Sequence, residues 1–337
     1  MMNRILLTPE QRQRYFATLD KYSRIRHLSR EEKEDLILRI TSSEYIDLMC
    51  DWAFKHVFGH NKAHLMMLLN DFLPVEIVGI DEIQYDSNEV DTLKGDDKQV
   101  IMDILCHTET EQIIVEMQKS TNNEFRNRMV YYGGCMISRQ LRAGDTYDKL
   151  KPVYVVCFMN FRLLHQTDQL VYRYQLREQD SNELYGDQLA VYLCELPRFV
   201  KEGDRPLNPI EEWFDLLQNM SKFAGRPESV SRRFDPILED CRQNRLDARE
   251  QEQYFNAMIS EHEEQSIAAA YKEMGFHEGL EKGLEKGREE GRAEGKEKGK
   301  EEMAKVLKEM GYPVEDICTA SGLSREVVDA LGAGAAN

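Results

Sequence analysis

The alternation of apolar and polar residues divides the chain into helical and strand-like segments. Apolar residues recur every three or four positions between residues 47 and 74, which predicts two helices that end at Pro74. Runs rich in β-branched residues predict strands, which are expected at 77–85, 99–106 and 111–118. A helix over 122–143, closed by Gly144, and a buried strand over 153–161 follow. The order helix, three strands, helix, strand predicts an α/β domain.

The segments on either side of this unit differ from it in pattern. Residues 1–44 are polar with helical spacing and predict a helical lead-in without assigned chemistry. Further strand and helix patterns predict a strand pair and a helical extension behind the core. The expected divisions are a lead-in at 1–44, a core at 45–162, an extension at 163–268, a charged tract at 269–302 and a short helical module at 303–337.

Glycine recurs at every fourth position of the charged tract, from Gly275 to Gly299, among Glu, Lys and Arg residues. Each glycine costs a helix about 1 kcal/mol relative to alanine, so we expect a solvated spacer here, with helix pairing as the alternative. The two short helices predicted around Gly322 are compatible with a helix-turn-helix or an oligomerisation tail. Their acidic residues favour the tail, so this region is expected to mediate self-association.

Composition narrows the class of protein. The chain of 337 residues is 41% hydrophobic and 31% charged, which allows a buried core and a solvated segment. No apolar run approaches the roughly 18 residues of a membrane span, and the first residues lack the apolar stretch of a signal peptide. We therefore expect a cytoplasmic protein with no membrane partner. Seven cysteines without a Cys-x-x-Cys pair indicate neither a disulfide framework nor a zinc site.

Charge is distributed unevenly along the chain. The net charge of −17 argues against a broad nucleic-acid-binding surface. However, residues 86–118 contain nine acidic residues and two lysines, whereas residues 119–151 contain seven basic and three acidic residues. This order is typical of a metal-dependent enzyme that acts on phosphodiesters, with carboxylates for the cation and basic side chains for the backbone. Chance asymmetry on a globular surface produces a similar pattern.

Two carboxylates interrupt apolar strand patterns. Asp103 lies within Ile-Met-Asp-Ile-Leu, and Glu116 lies within Ile-Ile-Val-Glu-Met-Gln. If the two runs form a hairpin around residues 107–111, Asp103 comes near Glu116, and the pair can hold Mg²⁺ through oxygen ligands. The alternative is a pair of polar residues on the exposed face of an ordinary hairpin. Because an uncompensated buried carboxylate is costly, we expect the pair to have a function.

The ordered motifs are similar to those of a known family. The runs Asp51-Trp52-Ala53-Phe54-Lys55, Asp103-Ile104-Leu105 and Val115-Glu116-Met117-Gln118, followed by a basic helix, resemble the PD-(D/E)XK, restriction-endonuclease-like nuclease superfamily. More narrowly, they resemble the Rpn family of recombination-promoting nucleases, also called transposases. The resemblance covers residues 45–162. It implies an α/β fold with a restriction-endonuclease-like core and an added helical C-terminal region.

The resemblance also implies a catalytic centre. Asp103 and Glu116 would be metal ligands, and the carbonyl group of Met117 would complete the metal shell. Gln118 stands where the superfamily usually has a lysine. A neutral amide can only orient water and phosphate by hydrogen bonds. Activation of water would therefore depend more on the metal.

Further roles follow from the same resemblance. Asp51 would be a third acidic catalytic residue, although an ion pair with Lys55 on a solvated helix face is an equal alternative. Lys55, Arg126 and Arg128 would bind DNA phosphates, and each is alternatively a surface or ion-pair residue.

The leading hypothesis is a Mg²⁺-dependent DNA endonuclease of low sequence specificity, with Mn²⁺ as an alternative cofactor. The resemblance suggests DNA as the partner, a homodimer, and a role in recombination or mobile-element biology. A second hypothesis is a catalytically weak or inactive nucleic-acid-binding or regulatory protein that keeps the nuclease fold, which Gln118 and the acidic composition motivate. A third is an assembly protein that works through residues 269–337.

Overall fold

The computed structural model describes residues 7–90, 100–120, 124–163, 168–203 and 205–331. The chain divides into two compact units, Met1–Glu263 and Glu264–Asn337. Ten α-helices and eight strands are present within the described residues. The helices are α1 Pro9–Leu19, α2 Arg30–Thr41, α3 Asp51–Phe58, α4 Lys62–Phe72, α5 Phe125–Arg139, α6 Pro209–Asn219, α7 Asp235–Asp240, α8 Ala248–Glu309, α9 Val314–Ser321 and α10 Arg325–Ala330. The strands are β1 Gln84–Tyr85, β2 Glu89–Val90, β3 Val100–Ile101, β4 Ile104–His107, β5 Gln112–Gln118, β6 Val153–Met159, β7 Val171–Gln175 and β8 Leu189–Glu195.

The first unit is built around a mixed six-stranded sheet in the order β1-β4-β5-β6-β8-β7. Strands β4 and β5 form an antiparallel hairpin, while β5, β6 and β8 run parallel to one another. Because β5 and β6 are parallel, the chain must cross over between them, and it does so through α5. The predicted order of helix, three strands, helix and strand is present in outline, as α4, then β1, β4 and β5 of this sheet, then α5 and β6. The predicted strand pair is also present, because β7 pairs with β8.

Both faces of the sheet are covered, so its central strands are apolar on both sides. Ile113, Val115, Val156 and other alternate residues face the larger core, which includes residues of α1 to α4, α6 and α7. The residues between them, such as Ile114 and Val155, pack against α5. All seven residues of β6 are buried, which explains the continuous apolar run behind Pro152.

The helical lead-in belongs to this core. Thr8 and Ser29 begin α1 and α2 with reciprocal capping boxes. Tyr15, Leu19 and Ile37 are almost fully buried in the same cluster as the sheet. Most of the polar residues between them face solvent, which gives this segment its weak apolar pattern in sequence.

Two predicted strands are wrong in detail. The run at 77–85 contains a short 3₁₀ helix, Ile80–Glu82, and only the two residues of β1. Its start is not free to pair, because the side chain of Asn70 binds both the N–H and the carbonyl group of Ile77. The run at 99–106 is divided: Val100–Ile101 pairs with Glu89–Val90 in a separate two-stranded sheet, and β4 begins at Ile104.

The glycine tract is helical, contrary to the expected spacer. Helix α8 continues through all of its glycines. The helix is nucleated at both ends, since Tyr254 and Phe255 are buried in the core of the first unit and Ala304 is buried in a cluster of the second. Once a helix is nucleated, each hydrogen bond requires the ordering of one further residue, whereas the first requires the ordering of three. Glutamate–lysine pairs one turn apart give further support.

The second unit closes on its own small core. Ala304, Ile317 and Val328 form this core, with the residues around it partly buried. Gly322 ends α9 in the left-handed conformation with φ of 68°, which glycine adopts without strain. Ser324 precedes α10, but its side chain makes no capping hydrogen bond.

Two predictions from composition concern the described chain as a whole. None of its described helices is long and apolar enough to cross a membrane. All seven cysteines are free, and five of them are buried, as expected of small core residues.

The glycines of α8 should be replaceable with a gain in stability. A Cβ atom added at Gly287, Gly291 or Gly295 meets no atom within 4 Å. We expect the triple alanine variant to increase helicity in circular dichroism and to stabilise the helix by up to about 1 kcal/mol per site. Gly133→Ala is the control, since its Cβ would lie 2.5 Å from Leu189 Cδ1 and should lower the melting temperature. A loss of helicity in the triple variant would contradict the open environment of these glycines.

Candidate functional site

The β4–β5 hairpin brings two carboxylates together at the end of its pairing. Ile104 pairs with Val115, so the next positions along the two chains are Asp103 and Glu116. Because β4 begins at Ile104, the N–H group of Asp103 lies outside the ladder and donates instead to Glu116 Oε1, at 3.1 Å. The predicted hairpin and the predicted proximity of these two residues are both present. Where β4 begins, the side chain of Glu116 thus takes the place of a backbone acceptor for the N–H of Asp103.

Asp103 connects this hairpin to helix α3. Its Oδ2 atom accepts a hydrogen bond from the N–H of Met117 at 2.8 Å, and its Oδ1 lies 3.1 Å from Lys55 Nζ. Lys55 also contacts Asp51 Oδ1 at 2.8 Å, one turn earlier on α3. The side chain of Asn88 donates to the carbonyl group of Asp103 at 2.9 Å and fixes the backbone there. Lys55 is thus shared between two carboxylates.

Glu116 continues the contacts along β5 towards helix α5. Gln118 Nε2 donates to Glu116 Oε2 at 3.2 Å, as expected for two side chains on the same face of a strand. Arg128 of α5 donates to Gln118 Oε1. Its guanidinium group lies 5.9 Å from the ring centre of Phe125, and its Nε atom is buried without a partner among the described residues. The site is therefore lined by two carboxylates, an amide, an ammonium group and a guanidinium group.

Burial controls the electrostatics of this site. It raises the pKa of Glu116 to about 8, and repulsion from Asp103 adds to the shift. Burial also raises the pKa of Asp103 to about 6, against the opposing effect of Lys55. For Lys55, burial alone would lower the pKa, but Asp103 and Asp51 outweigh it, so the pKa is raised and the ammonium form is retained. The carboxylates would be stabilised by a further cation.

The donor set is suited to a hard divalent cation. Within the described residues, no three His, Cys, Asp or Glu side chains are arranged as metal ligands. Mg²⁺ is commonly bound through one or two carboxylates, with water and phosphate oxygens completing its octahedron. Asp103 and Glu116 supply two such carboxylates. The pKa of each is raised, and a bound cation would lower it again. The residues present fit this kind of metal.

The structure brings most of the predicted site residues together. Asp51, Lys55, Asp103, Glu116, Met117, Gln118 and Arg128 form one connected network. Arg126 is different, because it lies exposed on α5 and is not part of this network. Of the two alternatives for Asp51, the ion pair with Lys55 is present, and Lys55 extends it to Asp103. A catalytic role of Asp51 stays a prediction.

Three residues of the site carry no signal in the sequence pattern. Asn88 precedes the short strand β2, Lys119 follows the end of β5, and Glu261 lies in α8. Glu261 pairs with Lys119 and also accepts a hydrogen bond from the N–H of Asp51 at 2.9 Å. Only the packing of α8 beside α3 and β5 reveals these contacts.

Comparison with known proteins agrees with this geometry. A family model described as PD-(D/E)XK nuclease family transposase matches residues 48–270. The matched region contains α3, the β4–β5 hairpin, α5 and the start of α8. The mixed α/β architecture with its six-stranded sheet is consistent with that fold. No curated protein and no solved structure shows significant similarity to the chain.

The raised pKa of Glu116 predicts a stability gain when its charge is removed. A group whose folded pKa lies above its unfolded value stabilises the protein at low pH, and this contribution is lost as the pH rises towards 8. We expect Glu116→Gln, without added metal, to be more stable than the wild type at pH 8.5 by at least about 1 kcal/mol, and to lose this advantage near pH 5. Urea unfolding at both pH values measures the difference.

Glu195→Gln is the matched control for this prediction. Glu195 is also fully buried, but it pairs with Arg198 and accepts a hydrogen bond from the N–H of Leu163 at 2.7 Å. Its substitution should destabilise the protein at both pH values, because it removes the negative charge that pairs with the Arg198 guanidinium group. If Glu116→Gln is destabilising at pH 8.5 in the same way, the electrostatic description of the site is wrong.

Proposed function

Because the chain belongs to the PD-(D/E)XK nuclease family transposases, we propose that it is a metal-dependent endonuclease that hydrolyses DNA phosphodiester bonds. The observation that carries this proposal is the pair formed by the buried Glu116 and the partly buried Asp103, held at a strand end with Lys55 and Arg128 beside it. We assign the restriction-endonuclease-like core to residues 45–162, with 163–268 as its extension.

Asp103 and Glu116 would hold the metal ion, with the carbonyl group of Met117 as a third ligand. Met117 directs its N–H towards Asp103, and the carbonyl group of a strand residue points to the same edge as its N–H. When bound, Mg²⁺, or Mn²⁺ in its place, would polarise the phosphoryl group and lower the pKa of water. The chain's own contribution is a pair of carboxylates already fixed by backbone hydrogen bonds, which require little reorganisation.

Gln118 and Lys55 would divide the role that one lysine has in related sites. Gln118 is neutral and hydrogen-bonded on both sides, so its role is to orient groups rather than to transfer protons. Lys55 retains its charge, because the two adjacent carboxylates raise its pKa. It is therefore suited to stabilise negative charge that develops on phosphate, and not to act as a general base.

The basic residues of α5 would bind the DNA backbone. Arg128 directs its guanidinium group towards the site, and Arg126 is exposed on the same helix. Contacts of this kind bind phosphates and carry no direct sequence information. We therefore propose low sequence specificity and a role in recombination or mobile-element biology.

Cleavage of supercoiled and linear DNA, with and without Mg²⁺ or Mn²⁺, tests the proposed function. We expect metal-dependent nicking by the wild-type protein, and a loss of at least about 100-fold in Asp103→Ala and Glu116→Ala, because each removes a ligand. Lys55→Gln should lower kcat while leaving metal binding measurable by calorimetry.

Glu109→Ala is the control for this experiment. Glu109 is exposed at the turn of the same hairpin, far from the strand end that carries Asp103, so its loss should leave cleavage unchanged. Binding of DNA without cleavage under either metal would favour the regulatory or inactive nucleic-acid-binding protein. If the Asp103 and Glu116 variants cleave DNA as fast as the wild-type protein does, the activity comes from a contaminant.

We also propose that α8 mediates a homodimer. Leu280 and Leu284 lie one turn apart and are 50% and 55% exposed, which is unusual in a stretch dominated by charged residues. Residues 275–300 contain seven acidic and seven basic residues, so two copies can approach there without the repulsion expected from the net charge of −17. Glycines beside the leucines permit close approach of two helices.

Sedimentation of the full-length protein tests this association. We expect Leu280→Lys combined with Leu284→Glu to shift the wild-type dimer to a monomer, because charge replaces the apolar contact. Leu184→Lys, at a 40% exposed leucine of the first unit, is the control and should leave the dimer intact. A wild-type protein that sediments as a monomer at all accessible concentrations would contradict the proposal.

A further inference from the structure

Glu261 lies on α8 and contacts two segments that flank the carboxylate pair. Its Oε1 accepts a hydrogen bond from the N–H of Asp51 at 2.9 Å, and its Oε2 pairs with Lys119 Nζ. The side chains of Glu261 and Lys119 are only 18% and 20% exposed, so solvent screens this ion pair little. The same carboxylate therefore binds the first residue of α3 and the residue that follows β5.

The contact with Asp51 supplies a cap that α3 otherwise lacks. Cys50 precedes α3, and its side chain makes no capping hydrogen bond. The first N–H groups of a helix need acceptors, and a carboxylate there also interacts favourably with the helix dipole. Glu261 provides this acceptor from another element of the fold. The start of α3 matters for the site because Asp51 and, one turn later, Lys55 project from it.

The contact with Lys119 fixes the other side of the site. Lys119 follows Gln118 directly, at the point where β5 ends. With Glu261 as its counter-ion, Lys119 is directed to α8. A lysine in this position would otherwise be available to a phosphate of bound DNA.

These contacts close a ring around the site. Lys55 connects Asp51 to Asp103, and Asp103 binds the backbone of Met117 in β5. The chain then continues through Lys119 to Glu261, which returns to Asp51. Within the described residues, the other polar connection between α3 and the end of β5 across the site passes through Asp103.

We infer that Glu261 is a positioning residue of the site, which holds α3 and the end of β5 at the separation that places Lys55 against Asp103. The inference rests on the proposed nuclease function. Glu261 acts through Asp51 and Lys119 and does not itself contact the carboxylate pair or the substrate.

Kinetics of Glu261 variants of the full-length protein test this role. Glu261→Ala removes both contacts, and we expect kcat to fall about tenfold or more, because small displacements of positioned groups are costly. KM for DNA should stay constant or fall, because Lys119 becomes free to bind phosphate. Glu261→Gln keeps an acceptor for the N–H of Asp51 and should retain more activity than Glu261→Ala.

Glu263→Ala is a matched control on the same helix. Glu263 accepts hydrogen bonds from the Ser23 hydroxyl at 2.6 Å and the Arg24 N–H at 2.8 Å, away from the site. Its loss should lower the melting temperature at least as much as Glu261→Ala does, while kcat stays within about twofold of the wild type. Equal effects of the two substitutions on kcat would reduce Glu261 to a structural residue and overturn the inference.

Two further measurements separate this inference from the proposed function. The binding constant for duplex DNA falls as the salt concentration rises. In Glu261→Ala, the released Lys119 should make this fall steeper, by about one unit in the slope of the logarithm of the binding constant against the logarithm of the salt concentration, whether or not the protein cleaves. Hydrogen exchange at the Asp51 amide should become faster in Glu261→Ala and stay slow in Glu263→Ala. A wild-type protein that never cleaves contradicts the nuclease proposal alone. An unchanged slope and unchanged exchange in Glu261→Ala contradict the inference alone.

Discussion

Two adjacent carboxylates, one buried and one partly buried, are the constraint on which the site depends. Asp103 and Glu116 are held where β4 begins, and burial raises the pKa of each. Repulsion from Asp103 adds to the shift of Glu116, and repulsion from Asp51 adds to the shift of Asp103. An apolar core would be more stable without them. The backbone N–H groups of Asp103 and Met117 donate to these side chains and keep them in place. The protein therefore holds a site that is electrostatically unfavourable when empty and favourable to a cation.

The cations around this pair come from different parts of the chain. Lys55 is supplied by α3, Arg128 by α5, and Lys119 by the end of β5. The neutral Gln118 lies between Glu116 and Arg128, binds both and holds them in position without adding a charge. Because the basic side chains come from three elements, they border the carboxylate pair although β5 itself contains no lysine. Membership of the PD-(D/E)XK nuclease family transposases is consistent with this arrangement.

Helix α8 demonstrates how context overrides local preference. Its glycines disfavour a helix when considered alone. Buried aromatic residues near its start and a small core near its end fix helical turns at both ends of the tract. Extending the helix through the glycines then costs less free energy than starting a helix there would. The early part of the same helix supplies Glu261 to the site. One element thus combines a core residue, a site residue and an exposed apolar pair that we assign to dimer formation.

The sequence by itself determined the order of elements, the β4–β5 hairpin and the proximity of Asp103 to Glu116, because these depend on apolar periodicity and on neighbours within one hairpin. It also indicated the family through ordered local motifs. Only the tertiary structure decided that Lys55 reaches Asp103, that Arg128 reaches Gln118, and that Glu261 closes the ring. These contacts join residues far apart in the chain, and no local pattern records which helix packs beside which strand.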